Sequence, residues 1–103
     1  GSLAARGQQL FQDLACISCH PADGSGRGPT LQGVFGSEIT LSNGTTVLAD
    51  DNYIRESILN PQAKLVAGYQ PQMPTFQGLV NEEGLMALLE YVKSLRKPAT
   101  LEP

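Results

Sequence analysis

The chain has 103 residues and a formal net charge of −3. This length suits one domain and is too short for two cores of ordinary size. No run of Lys or Arg is present to bind nucleic acid or an anionic membrane surface. No apolar stretch of about 18 residues is present that would span a bilayer. Aromatic residues make up only 6% of the chain, with no Trp, which leaves room for a bulky apolar group in the core.

The domain is expected to cover residues 3–103, because Gly1-Ser2 is typical of the scar that tag removal leaves. An upstream targeting or membrane-anchoring segment is therefore expected to have been removed. The first helix is predicted at residues 3 to about 15, where apolar residues recur at helical spacing. These residues are Leu3, Gly7, Leu10, Phe11 and Leu14.

Glycines and prolines predict a loop over residues 21–36. Residues 38–48 are predicted to form a small hairpin, in which Asn43-Gly44 supplies a two-residue type I′ turn. A second helix is expected at residues 52–60, capped by Asp50 or Asp51 and stopped by Pro61.

A long loop is then predicted from Pro61 to Val80, stiffened by Pro71 and Pro74. The last helix is predicted to begin after the cap Asn81 and to end at Pro98. Its last turns carry Lys93, Arg96 and Lys97, and its apolar stripe is formed by Leu85, Leu88, Leu89, Val92 and Leu95. Long loops between short helices indicate a mainly helical protein that wraps something.

Both cysteines and the only histidine of the chain lie within Cys16-Ile17-Ser18-Cys19-His20. This run matches the attachment sequence for c-type haem. Residues at i and i+3 of a helical turn share one face, so two thiols can add to the two vinyl groups of one porphyrin. His20 then lies next to the iron as an axial ligand. One covalent haem c is the predicted cofactor.

Three alternatives compete with haem attachment. A thioredoxin-like redox site expects a preceding βαβ pattern, whereas this motif follows a helix. A structural zinc site needs four ligands, and no third Cys or second His is present. The two cysteines could also form a plain disulfide in a non-haem interaction module, or remain as two buried thiols, with the neighbouring His a coincidence.

The second axial ligand is expected to be Met73, which lies in a loop between two prolines that would hold a thioether in place. Met86 lies inside the last helix and is expected to pack in the core. An open sixth position, or ligation by Met86, is the alternative. No second histidine exists for bis-histidine ligation within this chain.

The pattern resembles a class I cytochrome c and, more narrowly, the cytochrome c domain fused to subunit II of caa3-type haem–copper oxygen reductases. The resemblance covers nearly the whole chain. It implies a mainly α class I cytochrome c fold, with short helices around one haem. The residues that carry it are Gly7, Phe11, the CxxCH run, Gly28-Pro29-Thr30-Leu31, residues 50–61, Gly68-Tyr69, Met73-Pro74 and the Leu/Tyr-rich last helix.

The resemblance also implies roles around the haem. The carbonyl of Pro29 should accept a hydrogen bond from the far nitrogen of His20. Gly7 and Phe11 should pack against Tyr91 where the first and last helices cross. Four residues are candidates for contacts to the haem propionates or to the Met73 sulfur, with surface or packing roles as the alternative: Tyr53, Arg55, Lys64 and Tyr69.

A haem with both axial positions filled by protein has no vacancy for O₂, peroxide or substrate. We therefore expect a one-electron carrier of fairly positive potential, which is not an enzyme by itself. The resemblance implies an upstream redox donor and, as acceptor, the copper centre of subunit II of a caa3-type oxidase. A free periplasmic cytochrome c, or a haem sensor or peroxidase-like domain with a displaceable methionine, is the alternative. Haem attachment outside the cytoplasm predicts a periplasmic location or the outer face of the cytoplasmic membrane.

Overall fold

A computed structural model describes residues 2–21 and 23–96. Within these ranges the chain forms four α-helices and one two-stranded antiparallel sheet, and no helix is long and apolar enough to cross a membrane. The order of elements is α1 (Leu3–Asp13), α2 (Cys16–Cys19), β1 (Glu38–Thr40), β2 (Thr46–Leu48), α3 (Asp51–Leu59) and α4 (Glu82–Ser94). The mainly helical class with a small hairpin is confirmed.

The N-terminal ends of α3 and α4 are set by side chains in the sequence itself. The carboxylate of Asp50 accepts from the backbone N–H of Tyr53 at the start of α3. The amide oxygen of Asn81 accepts in the same way from Gly84 at the start of α4. Each bond satisfies an N–H that has no partner within its helix. The predicted caps are therefore confirmed.

Helices α1 and α4 cross in close contact, and Gly7 is what permits this approach. A Cβ atom at Gly7 would lie 2.0 Å from the carbonyl oxygen of Ala87. Four residues further along α1, the ring of Phe11 packs against that of Tyr91, with centroids 5.2 Å apart and planes tilted by 58°. The crossing expected from the resemblance is confirmed.

The first helix ends at Asp13, two residues earlier than predicted, because the chain turns sharply at Ala15. Ala15 adopts φ 63° and ψ 22°, a left-handed conformation that costs an L-residue roughly 1–2 kcal/mol. This turn separates α1 from the short helix α2. Because of this turn, Cys16–Cys19 form a separate helix instead of continuing α1.

The hairpin turn differs from its prediction. A type I′ turn needs positive φ at both central residues, yet Asn43 does not have it and Gly44 does, with φ 88°. The Leu41 N–H instead donates to the carbonyl of Thr45, and the Leu41 carbonyl accepts from the N–H of Gly44, which gives a three-residue loop ending in a left-handed glycine. Leu41 is buried and also pairs with Val66, so tertiary contact fixes the register.

One cluster of the core lies between α3 and α4, where Ile54, Leu89 and Val92 are buried together. Further buried apolar residues lie on α1 and α4, among them Phe11 and Leu88. Met86 does not belong to it: this side chain is 47% exposed, so the expectation that it packs in the core is wrong. Helix α4 ends at Ser94, before the predicted stop. Lys97 and Pro98, like Gly1, Ala22 and the chain end to residue 103, lie outside the described residues.

Candidate haem-binding site

A cavity of about 630 Å³ lies among the four described helices. Its volume falls in the range of protein pockets for cofactors, about 300–1,000 Å³. Helix α1 contributes Phe11 and helix α4 contributes Leu88 and Val92 to the walls. The four residues predicted to attach or ligate the haem all line this one cavity: Cys16, Cys19, His20 and Met73.

Cys16 and Cys19 are the first and last residues of α2, so one helical turn carries both thiols to the cavity wall. Both are half-buried, and no disulfide joins them. Burial raises the pKa of the Cys16 thiol above its usual range, with a smaller contribution from Cys19 in the same direction. Both thiols are therefore within reach of a group that occupies the cavity.

The imidazole of His20 is held by the backbone of the following loop. Its Nδ1 atom lies 2.8 Å from the carbonyl oxygen of Pro29. A carbonyl only accepts, so Nδ1 carries the proton and donates it. In the neutral ring with the proton on Nδ1, Nε2 has a lone pair, which is the form that binds a metal. This is the contact that the resemblance implies.

The glycines before Pro29 allow the loop to pass close to the CxxCH run. A Cβ at Gly28 would lie 2.5 Å from Cε1 of the His20 ring, and one at Gly26 would lie 2.4 Å from the carbonyl oxygen of Cys19. The N–H of Gly28 donates to that same carbonyl at 2.8 Å. Sequence reasoning gave Gly28 no role of its own, since a loop glycine shows only in three dimensions what it lies against.

Met73 is half-buried and lines the cavity, whereas the exposed Met86 is not among the residues that line it. The two methionines that the sequence offered are therefore distinguished by position. Of the chain's two thioethers, the one in the Pro-flanked loop is the one available to a group in the cavity.

The four other predicted haem contacts divide between the cavity and the surface. Tyr53, Lys64 and Tyr69 line the cavity. Burial raises the pKa of the Tyr53 phenol, so this group stays protonated and able to donate a hydrogen bond. Lys64 forms an ion pair with Glu56. Arg55 does not line the cavity: its two terminal guanidinium nitrogens lie 3.0 and 2.7 Å from the carboxylate oxygens of Glu82.

The residues of this structure fit a haem in their chemistry. The cavity walls are mostly apolar, and among the described residues that line them there is no carboxylate. Over the same part of the chain, no group of three or more His, Cys, Asp or Glu is placed to hold a bare metal ion. A haem bound here would supply an iron that exchanges one electron, with the thiols of α2, His20 and Met73 to hold it.

A family model for cytochrome c matches residues 4–96. The chain belongs to the cytochrome c family. It is 31% identical over 97 residues to cytochrome c oxidase subunit 2 of Alkalihalophilus pseudofirmus, an alignment that covers 92% of this chain and 26% of that protein. The chain thus spans about a quarter of the length of the curated relative it matches.

The fold has a counterpart among solved structures. Cytochrome cH from Methylobacterium extorquens superposes with a TM-score of 0.63 at 24% sequence identity, over 88% of this chain and 97% of that one. This likeness shows the class I cytochrome c fold. A cytochrome c works by electron transfer with a covalently bound haem c, so this domain is an electron carrier with redox partners and not an enzyme by itself.

Proposed function

We propose that this domain holds one haem c through thioether bonds at Cys16 and Cys19, with His20 and Met73 as the axial ligands of the iron. The observation that carries the proposal is that these four side chains line one cavity, although Met73 lies more than fifty residues along the chain from the others. The fixed tautomer of His20 supports its role, because Nε2 keeps the lone pair that a metal requires.

Such a site suits one-electron transfer at a fairly positive potential. A neutral thioether stabilises reduced iron relative to a second imidazole, and a cavity with apolar walls disfavours the extra positive charge of oxidised iron. Two protein ligands also leave no position for a substrate. We therefore assign this domain to electron transfer and not to ligand sensing or peroxide chemistry.

We further propose that the domain belongs to the second subunit of a caa3-type oxidase and delivers electrons to the copper centre of that subunit. Support comes from the 31% identity to a cytochrome c oxidase subunit 2 of which this chain matches only a quarter. The remainder of that relative leaves room for a copper domain and a membrane anchor. The haem would then lie on the outer face of the cytoplasmic membrane. A free periplasmic cytochrome c is the second candidate.

Substituting the two methionines in turn tests the axial ligand. We expect Met73→Ala to give high-spin iron that binds CO and to abolish the methionine-to-iron charge-transfer band of the oxidised protein. The matched control is Met86→Ala, which removes the same atoms from an exposed position outside the cavity and should leave the absorption spectrum unchanged. The reverse pattern would contradict Met73 ligation. Unsubstituted protein that already binds CO readily would favour the sensor alternative.

Rapid mixing tests the proposed acceptor. The reduced domain should transfer one electron to the isolated copper domain of a caa3-type subunit II, seen as matched loss of the reduced haem band and of the oxidised copper band. Failure of this transfer, with normal reduction of other one-electron acceptors, would contradict membership of the oxidase and leave the carrier function intact.

A further inference from the structure

Met73 lies in a segment, residues 71–76, that contains no helix or strand. Pro71 and Pro74 restrict the local backbone angles of this segment, but they do not determine where it lies relative to the cavity. Its position depends on bonds to other elements. The bonds that the structure shows converge on the C-terminal end of α3.

On the C-terminal side of Met73, two bonds reach the last turn of α3. The hydroxyl of Thr75 donates to the carbonyl of Leu59 at 2.6 Å, and the N–H of the buried Phe76 donates to the carbonyl of Ile58 at 3.1 Å. Carbonyls in the last turn of a helix have no partner within it, so these bonds satisfy groups that need one.

The Thr75 hydroxyl has a second bond that fixes its direction. It accepts from the N–H of Gln77 at 3.1 Å while it donates to Leu59. Because the single hydroxyl proton is already directed to the helix, the bond to α3 holds one orientation of the side chain.

On the N-terminal side of Met73, the tether comes from just beyond α3. The side-chain amide of Gln62 donates to the carbonyl of Pro71 at 3.2 Å. Met73 thus lies between two hydrogen-bonded residues: Pro71, which accepts from a side chain, and Thr75, which donates its own hydroxyl proton. Both bonds end on the same short stretch of chain, residues 59–62.

We propose that Thr75 and Gln62 are positioning residues that retain Met73 on the haem iron against competing ligands. The proposal rests on the proposed ligation by Met73. A thioether is a neutral donor on a side chain with three rotatable bonds, so its occupancy depends on how narrowly the backbone confines it. Loss of one of these hydrogen bonds lets the Met73 backbone sample more positions, which lowers the effective concentration of the sulfur at the iron.

Imidazole competition on the oxidised, haem-loaded protein tests this retention. Imidazole displaces the methionine and abolishes the charge-transfer band, so the midpoint of a titration measures how firmly Met73 is held. We expect Thr75→Val to bind imidazole about three- to tenfold more tightly, the range for loss of one hydrogen bond. Gln62→Leu should tighten imidazole binding by about two- to threefold, a smaller effect, because the hydrogen bond from Gln62 to Pro71 is longer and exposed.

Two further variants separate positioning from general destabilisation. Thr75→Ser keeps the hydroxyl and should restore wild-type imidazole affinity. Thr45→Val makes the same change at another exposed threonine, whose hydroxyl bonds to Asn43 in the hairpin loop, and should leave the affinity unchanged. Equal tightening in Thr45→Val and Thr75→Val would overturn the proposal.

The same measurements distinguish failure of the positioning role of Thr75 and Gln62 from failure of the assignment of Met73 as the axial ligand. A charge-transfer band that survives Met73→Ala would overturn both, since the ligand would then be another group. If Met73→Ala abolishes the band and Thr75→Val binds imidazole with wild-type affinity, the ligand assignment stands and the positioning role is overturned.

Discussion

At the scale of single residues, His20 illustrates how the backbone prepares a ligand before any metal is bound. Its proton is committed to the Pro29 carbonyl, and its ring lies against a position where only glycine fits. The carbonyl determines which nitrogen is free, and Gly28 determines how the ring is turned. Together they give the imidazole one tautomer and one orientation.

Gly28→Ala should therefore disturb the orientation of the His20 ring. The added methyl would lie within 3.0 Å of three ring atoms, so the ring or the loop must move. We expect a loss of about 1–3 kcal/mol in the free energy of unfolding. We also expect altered g-values in the electron paramagnetic resonance spectrum of the oxidised protein, which report the orientation of the axial ligands.

The matched control for this change is Gly7→Ala, which introduces a clash of similar severity at the crossing of α1 and α4. It should lower the free energy of unfolding as well, but keep the g-values of the unsubstituted protein. If both variants give the same g-values, Gly28 has no special relation to the haem ligand.

The two methionines show how far the neighbouring residues in the sequence predict where a side chain lies. The prolines around Met73 predicted a stiff loop, and this residue lines the cavity. Met86 follows Leu85 directly in the sequence, but successive helical residues are about 100° apart, so the neighbour of a buried leucine can face solvent. The exposed fractions of 2% at Leu85 and 47% at Met86 reflect that rotation.

At the scale of elements, helix starts were predictable because their signals are local. The caps Asp50 and Asn81 bond to N–H groups only three residues away, so neighbouring sequence contains both partners. The hairpin turn was not predictable in this way. Its register depends on the buried Leu41 and on Val66, which lies 25 residues further along the chain.

The left-handed turn at Ala15 was equally hidden, because alanine carries no signal for positive φ. The two helices on either side of it impose this conformation, since α2 must present both cysteines to the cavity while α1 continues to pack on α4. We infer that tertiary contacts sustain this strained residue.

The ion pair between Arg55 in α3 and Glu82 at the start of α4 should make the packing of these helices sensitive to acid. The hydrogen bond from Arg55 holds the pKa of the Glu82 carboxyl below its usual range. A lowered pKa in the folded state contributes stability above the ordinary glutamate pKa, and that stability is lost as the pH falls through the folded value.

Arg55→Gln should accordingly reduce the free energy of unfolding slightly at neutral pH, and this difference should disappear as the pH falls through the lowered pKa of Glu82 and its carboxyl becomes protonated. Denaturant unfolding across this range measures the difference. Arg96→Gln removes an exposed arginine for which no ion pair is seen among the described residues, and it should leave the pH profile unchanged. A constant offset for Arg55→Gln at every pH would contradict the linkage.

At the scale of the whole molecule, the fold is organised around the cavity. In the part of the chain that the structure describes, Ile54, Leu89 and Val92 form the buried cluster between α3 and α4, while a cavity of about 630 Å³ lies among all four helices. A domain of about 100 residues buries only some two-thirds of its unfolded surface, so a filled cavity matters greatly to its stability. The low aromatic content of the sequence already indicated that a bulky apolar group could complete the core.

Polypeptide produced without haem should consequently lack cooperative unfolding. Without the group that fills the cavity, its apolar walls would face water or collapse together, and α4 would lose its fixed separation from the Met73 loop. Circular dichroism during heating should show a gradual loss of helix, whereas the haem-loaded protein should give one sharp transition. A sharp transition at the same temperature in both samples would contradict a core completed by haem.

The most direct test of covalent haem attachment to the CxxCH run is the intact mass of the purified chain. The protein is produced in cells that attach haem c, and its mass is measured under denaturing conditions. We predict the polypeptide mass plus one haem, and the bare mass for the Cys16→Ala, Cys19→Ala double variant. A bare mass for the unsubstituted chain, under conditions that load another cytochrome c, would contradict the assignment of the CxxCH run and the electron-transfer function derived from it.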